Sequence, residues 1–431
     1  MNVYILAATS GQQQYHHNPN NRTLDGLSLN IPHFTCKKFR LGSFRQKKMA
    51  NKVDEKKQLD QIPILHVRGT HYVCGYTIGR QFRNIIDDLL SKWDYLNNAL
   101  IPIYMSSEGR QVYDKSFSLC MQKFPQYIEE LQGISDGAKV PFFKLFLLHI
   151  DTLIAPHKED DNFCKKRADT GCTTVMSNND DVVLGHTEDA LPEFLNNVYI
   201  ISAEIVDDNG TKLEKFTTLT YAGHLPGYTM GYNEHGLVYS INSIFPEITY
   251  KDRTPKMFLT RALLGASNLV QALDILRDSG TGTADGFSLN ITFAKQEGSP
   301  VMHNVEVGPA RDGKPESELS VLTLTHGDFH VHCNKYLRLQ IPEASGIAID
   351  SSNHRHKSIG RHLRPNTIER IKEVLSDQAD AEYPVFRCGT KRPDYIKTVA
   401  VGIFDILNRK WSIYMEPPHK ATPVTELHMD M

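Results

Sequence analysis

The reading of this chain turns on Thr170-Gly171-Cys172-Thr173-Thr174-Val175-Met176, then Ser177-Asn178-Asn179-Asp180, then Asp181-Val182-Val183-Leu184-Gly185-His186-Thr187-Glu188-Asp189. Cys172 to Met176 reads as one strand and Asp181 to Gly185 as the next, joined by the turn-rich Ser177–Asp180. Such a hairpin carries Asp189 back toward Cys172. Just upstream, His157 to Asp169 is charged and poor in apolar residues, so it reads as an exposed loop. A glycine before a cysteine is a weak signal alone, because most such cysteines are small core residues. Between an exposed loop and a strand, with a carboxylate returning nearby, it acquires a chemical meaning.

That meaning is self-cleavage. The Cys172 thiol can attack the carbonyl of Gly171, replacing the amide by a thioester that water then opens. Glycine suits the position because it tolerates the strained backbone that attack requires. The product has a free α-amine on Cys172, with a reference pKa of about 8, which can serve as base for its own thiol. Amide hydrolysis also needs donors for the developing oxyanion. Asn334, in His332-Cys333-Asn334-Lys335-Tyr336, is the candidate; Asn233 and Asn242 lie near glycines and read as turn residues.

Outward from this centre the chain divides. Residues 1–60 are polar and irregular and are expected to be disordered. Ile64 to Val67 reads as a strand, and Gly75 and Gly79 lead into a helix with apolar residues from Ile78 to Leu100 at three- and four-residue steps. Further helices are expected at about Tyr127–Ile134 and after Pro141. Beyond Cys172 the pattern becomes strands: Val198–Val206 and Phe216–Tyr221 across Asp208-Asn209-Gly210, then Leu237–Ile241, Ser288–Ala294, Val301–Val307, Ser320–Leu324, His330–Cys333, Thr398–Asp405 and Lys410–Met415. Helices interrupt them at about Pro255–Leu264, Leu269–Arg277 and Asn366–Leu375. The expected class is α+β, with two antiparallel sheets between helical layers.

Composition bounds the function. The chain has 40% hydrophobic and 23% charged residues and a formal net charge of -2. No basic stripe points to a nucleic-acid partner. No segment is apolar for long enough to span a membrane. Seven cysteines, odd in number and without a CxxC, fit a reducing, cytoplasmic setting better than a disulfide framework. The chemistry calls for no cofactor and no metal.

Gly171-Cys172-Thr173-Thr174, Gly185 to Asp189, Gly231 to Asn242 and His332 to Tyr336, in this order and spacing, resemble the acyl-coenzyme A:isopenicillin N acyltransferase type of N-terminal-nucleophile hydrolase. Glu130 to Ile134 and Gly137 to Pro141 fit as well. The resemblance implies an αββα sandwich and a precursor cut into residues 1–171 and 172–431. The pieces, a 61–171 chain behind its extension and a 172–431 chain, would stay associated, up to a higher assembly of heterodimers. It implies Cys172 as nucleophile, Asp189 as the supporting aspartate and Asn334 as the oxyanion-hole asparagine. From His66 to the Gly-Cys site the chain is most similar to members that hydrolyse N-β-alanyl amines, which implies β-alanyl-dopamine to dopamine and carcinine to histamine. A β-alanyl ammonium would need a carboxylate or aromatic partner. Glu188, Glu193 and Asp285 could supply the first, and Tyr228 and Tyr232 could wall the amine end. One departure stands out: where fungal members place a functional arginine before the last hairpin, this chain has Tyr395, with Arg392 three residues earlier.

Rival readings are an acyltransferase of the same family, a Cys–His hydrolase that is never cut, using Cys172 or Cys333, and a non-enzymatic scaffold. A metal protein built on His326, His330, His332 and Cys333 is a further rival. On a strand, however, His330 and His332 share a face that Cys333 does not.

Overall fold

The computed structural model describes residues 6–7, 61–155, 170–389 and 394–431. The helices are α1 (His71–Gln81), α2 (Arg83–Lys92), α3 (Ile101–Met105), α4 (Ser107–Lys123), α5 (Pro125–Ala138), α6 (Phe142–His149), α7 (Asp151–Ile154), α8 (Lys256–Leu263), α9 (Leu269–Arg277), α10 (Ile347–Ile359) and α11 (Ile368–Leu375). The strands are β1 (Leu6–Ala7), β2 (Ile64–Gly69), β3 (Thr170–Asn178), β4 (Val182–Ala190), β5 (Val198–Val206), β6 (Lys212–Tyr221), β7 (Met230–Asn233) and β8 (Leu237–Ile244). They continue with β9 (Gly286–Phe293), β10 (Met302–Pro309), β11 (Ser317–Leu324), β12 (Asp328–His332), β13 (Lys397–Asp405), β14 (Lys410–Tyr414) and β15 (Thr425–His428). Apart from β1, the expected disordered extension over residues 1–60 lies outside the described residues, as does the loop expected over His157–Asp169.

Nine strands form one sheet in the order β1-β2-β5-β6-β7-β8-β9-β10-β11, and six form the other, β12-β3-β4-β13-β14-β15. The sheets face each other: Thr174 on β3 reaches Asn242 on β8 at 2.9 Å. On the outer face of the six-stranded sheet, Ile371, Val374 and Leu375 of α11 pack with Val175, Val183, Val401 and Ile403. Residues of α1, α2, α5 and α6 join the apolar cluster that includes the strands of the larger sheet. This is the αββα sandwich that was expected, with one correction. The larger sheet is not wholly antiparallel, because β2 runs parallel to both β1 and β5. Hairpin neighbours must alternate in direction, whereas β2 is separated from β5 by the whole helical segment and is free of that constraint.

The N-terminal glycines also differ from expectation. Gly75 and Gly79 lie inside α1 rather than ahead of the helix. The reason is packing against α5: a Cβ on Gly75 would stand 2.0 Å from the Glu130 carbonyl oxygen, and one on Gly79 would stand 2.1 Å from that of Ile134. Gly133 and Gly137 of α5 are matched in the same way to the backbone of Tyr72 and Tyr76. Close backbone approach outweighs the propensity cost of glycine in a helix. Beneath this contact Arg261 of α8 bonds the Glu130 carboxylate, and His71 approaches its Oε2 at 2.7 Å. Burial alone would raise the Glu130 carboxyl; Arg261 and His71 hold it down at about 2.

Among the described residues, α3, α4, β7, α10 and β15 are elements that the periodicity does not signal. Gly79→Ala should force α1 and α5 apart and cost about 1–3 kcal/mol or more, as for other overpacked contacts. Urea unfolding checks this, and an unchanged midpoint would refute the close-contact account.

Candidate active site

The pairing of β3 with β4 sets the site. Gly171 stands opposite Asp189, Cys172 opposite Glu188, Thr173 opposite Thr187 and Thr174 opposite His186. Side chains alternate between the faces of a strand. Cys172, Thr174, His186 and Glu188 therefore face the other sheet, and Thr173, Thr187 and Asp189 face the helices. The residue facing the thiol across the hairpin is Glu188, and Asp189 lies on the opposite face.

The Cys172 backbone is clamped from two sides. Its N–H donates to Asn334 Oδ1 at 3.0 Å. Its carbonyl accepts from Arg355 Nη1 at 2.6 Å, and Arg355 Nη2 donates to the same Asn334 Oδ1 at 2.7 Å. Asn334 Nδ2 donates to the Ser243 carbonyl at 2.9 Å, so neighbours on both sides fix the orientation of the amide. Asn334, the expected oxyanion donor, thus holds the Cys172 nitrogen through its oxygen, with its NH₂ engaged by β8.

On the helical face, Asp189 accepts from Thr398 Oγ1 at 2.7 Å and from Thr187 Oγ1 at 3.3 Å. Thr187 Oγ1 in turn accepts the Thr173 N–H at 3.0 Å. Arg387 binds the Asp394 carboxylate through Nε and Nη2, and its Nη1 lies 2.4 Å from where a Cβ on Gly171 would be. A side chain at position 171 would require that guanidinium to move. Burial raises the Asp189 carboxyl to about 6, against the opposing pull of Arg387 and Arg355.

On the inner face, Glu188 accepts from the Tyr221 hydroxyl at 2.9 Å, and its Oε2 lies 3.1 Å from His186 Nε2. Burial raises the Glu188 carboxyl to about 8 and lowers His186 to about 3. Burial also pushes the Cys172 thiol well above its ordinary value, assisted by Glu188 and Asp189. Among the described residues, Cys172, His186 and Glu188 are the one group whose donor atoms are spaced for a metal ion, all within 4.8 Å of one another. Within this group His186 Nε2 and Glu188 Oε2 are hydrogen-bonded to each other.

The other expected residues divide. Tyr228 is half-buried and its hydroxyl meets Ser243 Oγ at 2.8 Å, one residue from the clamp. Tyr232 packs edge-on to Trp411, and its hydroxyl reaches the His428 carbonyl of β15. Asp285 is paired with buried Lys256 at 2.8 Å, and Glu193 lies in a short turn after β4. Asn233 ties a turn as expected, accepting from the His235 and Leu237 N–H groups. Asn242 corrects its turn reading: it sits within β8 and accepts from Thr174. Tyr395 is 38% exposed, and Arg392 lies outside the described residues. The arginines that meet the site are Arg387 and Arg355, both almost fully buried. Sequence reading missed them. Arg355 lies on α10, whose serines and histidines hide its period, and nothing local marks Arg387 as buried.

Residues 175–420 match the acyl-coenzyme A:6-aminopenicillanic acid acyl-transferase family. The chain is 40% identical over 368 residues to the beta-alanyl-dopamine/carcinine hydrolase of Drosophila melanogaster, covering 84% of this chain and 95% of that one. The chain belongs to this acyl-transferase family. Among solved structures, a mutant conjugated bile acid hydrolase from Clostridium perfringens aligns with TM-score 0.32 and 11% identity, over 61% of this chain and 92% of that one. Penicillin V acylase from Agrobacterium tumefaciens aligns with TM-score 0.30 and 12% identity, over 59% and 84%.

The raised carboxyls carry a pH signature. Folded Asp189 and Glu188 keep protons that the unfolded chain releases in the ordinary carboxylate range, so their contribution to stability is fullest below that range and is lost as pH rises to about 6 for Asp189 and about 8 for Glu188. In an uncut Cys172→Ala chain, adding Glu188→Gln should flatten the decline near the upper value. Thermal melting across that range checks it, and an unchanged slope would refute the buried-acid reading of Glu188.

Proposed function

We propose that the chain is a self-processing amide hydrolase acting on N-β-alanyl amines through Cys172, with β-alanyl-dopamine and carcinine as substrates. The observation that carries this reading is the 40% identity across 95% of a relative with that activity. The clamp on the Cys172 backbone supports the role of this residue. Once the Gly171–Cys172 bond is cut, the nitrogen now bonded to Asn334 becomes an α-amine at the same place. The nearby Arg355 charge favours its neutral form, the form that can take the thiol proton. The thiolate then attacks the substrate amide, the amine is released, and water clears the β-alanyl thioester.

Of the expected carboxyls, Asp285 already has Lys256, whereas Glu188, opposite Cys172, would meet the substrate ammonium as a neutral hydrogen-bond acceptor with its own proton turned toward His186. Residues 61–171 and 172–431 would remain together after cleavage: β2 pairs with β5, and α5 with Arg261 of α8, across the cut. Five unpaired cysteines among the described residues suit a reducing, cytoplasmic setting. Among the described residues no helix is long and apolar enough to cross a membrane. The family match favours a second reading, transfer of the acyl group to another amine. A competing amine added to the assay distinguishes them by mass spectrometry of the products.

Wild-type protein should appear as two fragments, one beginning at Cys172 on N-terminal sequencing, and should release β-alanine from carcinine. Cys172→Ala should remain one inactive chain; cleavage at the same bond in that variant would remove Cys172 from the mechanism. Gly171→Ala should displace Arg387 and slow cleavage by at least about tenfold, equivalent to about 1.4 kcal/mol of barrier. A wild-type rate of fragment formation would discount that contact.

A further inference from the structure

In the uncut chain Cys172 has no α-amine. Its nitrogen is an amide whose proton is given to Asn334, so the base of the mature enzyme does not yet exist. The hydrogen bonds between the sheets show where another base stands. Arg338 donates to Asn304 Oδ1 at 2.7 Å, so Asn304 Nδ2 faces Asn290 Oδ1 at 2.8 Å. Asn290 Nδ2 then donates to Asn242 Oδ1 at 2.7 Å and to Thr174 Oγ1 at 3.2 Å. Asn242 Oδ1 carries no proton, so the 2.9 Å contact from Thr174 uses the single hydroxyl proton of Thr174. His186 Nδ1, 2.8 Å from that hydroxyl oxygen, must therefore donate to it. A neutral ring with its proton on Nδ1 has a bare Nε2. The 3.1 Å contact from Nε2 to Glu188 Oε2 then holds the carboxyl's own proton. Burial favours these same neutral forms of both groups.

We propose that Glu188 and His186 together form the proton acceptor by which Cys172 cuts its own peptide bond, before the α-amine exists. The inference rests on the self-cleavage reading above and names the base for that step. As Sγ bonds to the Gly171 carbonyl carbon, the thiol proton passes to Glu188 while the Glu188 proton passes to His186 Nε2. The carbonyl π-pair moves onto oxygen. When the tetrahedral species collapses, the carbon–nitrogen bond breaks, the proton returns through Glu188 to the departing nitrogen, and the α-amine and thioester are formed. Water then adds to the thioester and the carbon–sulfur bond breaks; one water proton goes to the departing sulfur and the other to the new α-amine, leaving the Gly171 carboxylate and the free thiol. No oxidant or cofactor enters. Thr174 and Asn242 keep the ring in the required tautomer, and Tyr221 holds the other carboxyl oxygen.

The test follows cleavage of newly made full-length chain by mass spectrometry of its fragments. Glu188→Gln keeps the shape and the Tyr221 contact but cannot accept the proton. Cleavage at Gly171–Cys172 should slow by about a hundredfold or more, the usual worth of a general base. Glu188→Ala should be equally slow, with a cooperative thermal transition showing that it is folded, and added formate should restore cleavage in proportion to its concentration. Cleavage of Glu188→Gln at close to the wild-type rate overturns the inference, as does a folded Glu188→Ala that formate does not accelerate. If wild-type chain itself is never cut at this bond, the self-cleavage reading fails instead.

Discussion

The Cys172 peptide unit, held by Asn334 on its nitrogen and by Arg355 on its carbonyl, is the interaction on which the rest of the site depends. A strand normally gives its N–H and C=O groups to neighbouring strands. Here α10 and the loop after β12 take over that role, and Asn334 is itself anchored by Ser352 and Ser243. The clamp brings a guanidinium into the interior with no carboxylate among the described residues in direct contact: Arg355 meets neutral oxygens of Cys172, Thr173, Asn334 and Ser351. A buried cation is costly unless a countercharge stands near. Asp189, on the same face of the hairpin as Thr173, supplies it, and its carboxyl is drawn down by Arg387 and Arg355 in return. Asp189 is therefore a countercharge to Arg355 on the face opposite the thiol.

The second organising feature is the polar layer between the sheets. Thr174, Ser240, Asn242, Asn290 and Asn304 form an oriented chain of amides and hydroxyls ending at His186. An apolar sandwich could slide with little penalty. Each of these groups would lose its partner if β3 slipped against β8, and an unpaired buried polar group is costly. The layer thus ties sheet register to the protonation state of the site. Glu306 extends it, accepting the N–H groups of Leu337, Arg338 and Leu339 and so fixing the segment that follows Asn334. Burial alone would raise the Glu306 carboxyl; those N–H groups and His332 hold it at about 2. His332 serves that anchor, which removes it from the metal site weighed as a rival.

Much was legible in the chain itself. Period-two alternation and turn residues located nearly every strand after Cys172, because hairpins are local and their signals lie within a few residues of each other. Gly171, Cys172, Asp189 and Asn334 stand out as candidates for the same reason, each sitting at a strand end beside a recognisable turn or motif, and the structure brings them together. Gly75 and Gly79 were misread because their cause is the backbone of α5, far along the chain. The parallel placement of β2 had no local sign either.

The amino-acid sequence by itself determined the hairpin that carries Cys172 and the sandwich class, both of which follow from short-range pattern. Tertiary structure alone decided which charges meet there. Arg355 and Arg387 come from a helix and a loop about two hundred residues beyond Cys172, and Tyr221 from the opposite sheet. Their effect arises from desolvation and from angstrom-scale distances, and neither is encoded in the spacing of residues along a chain.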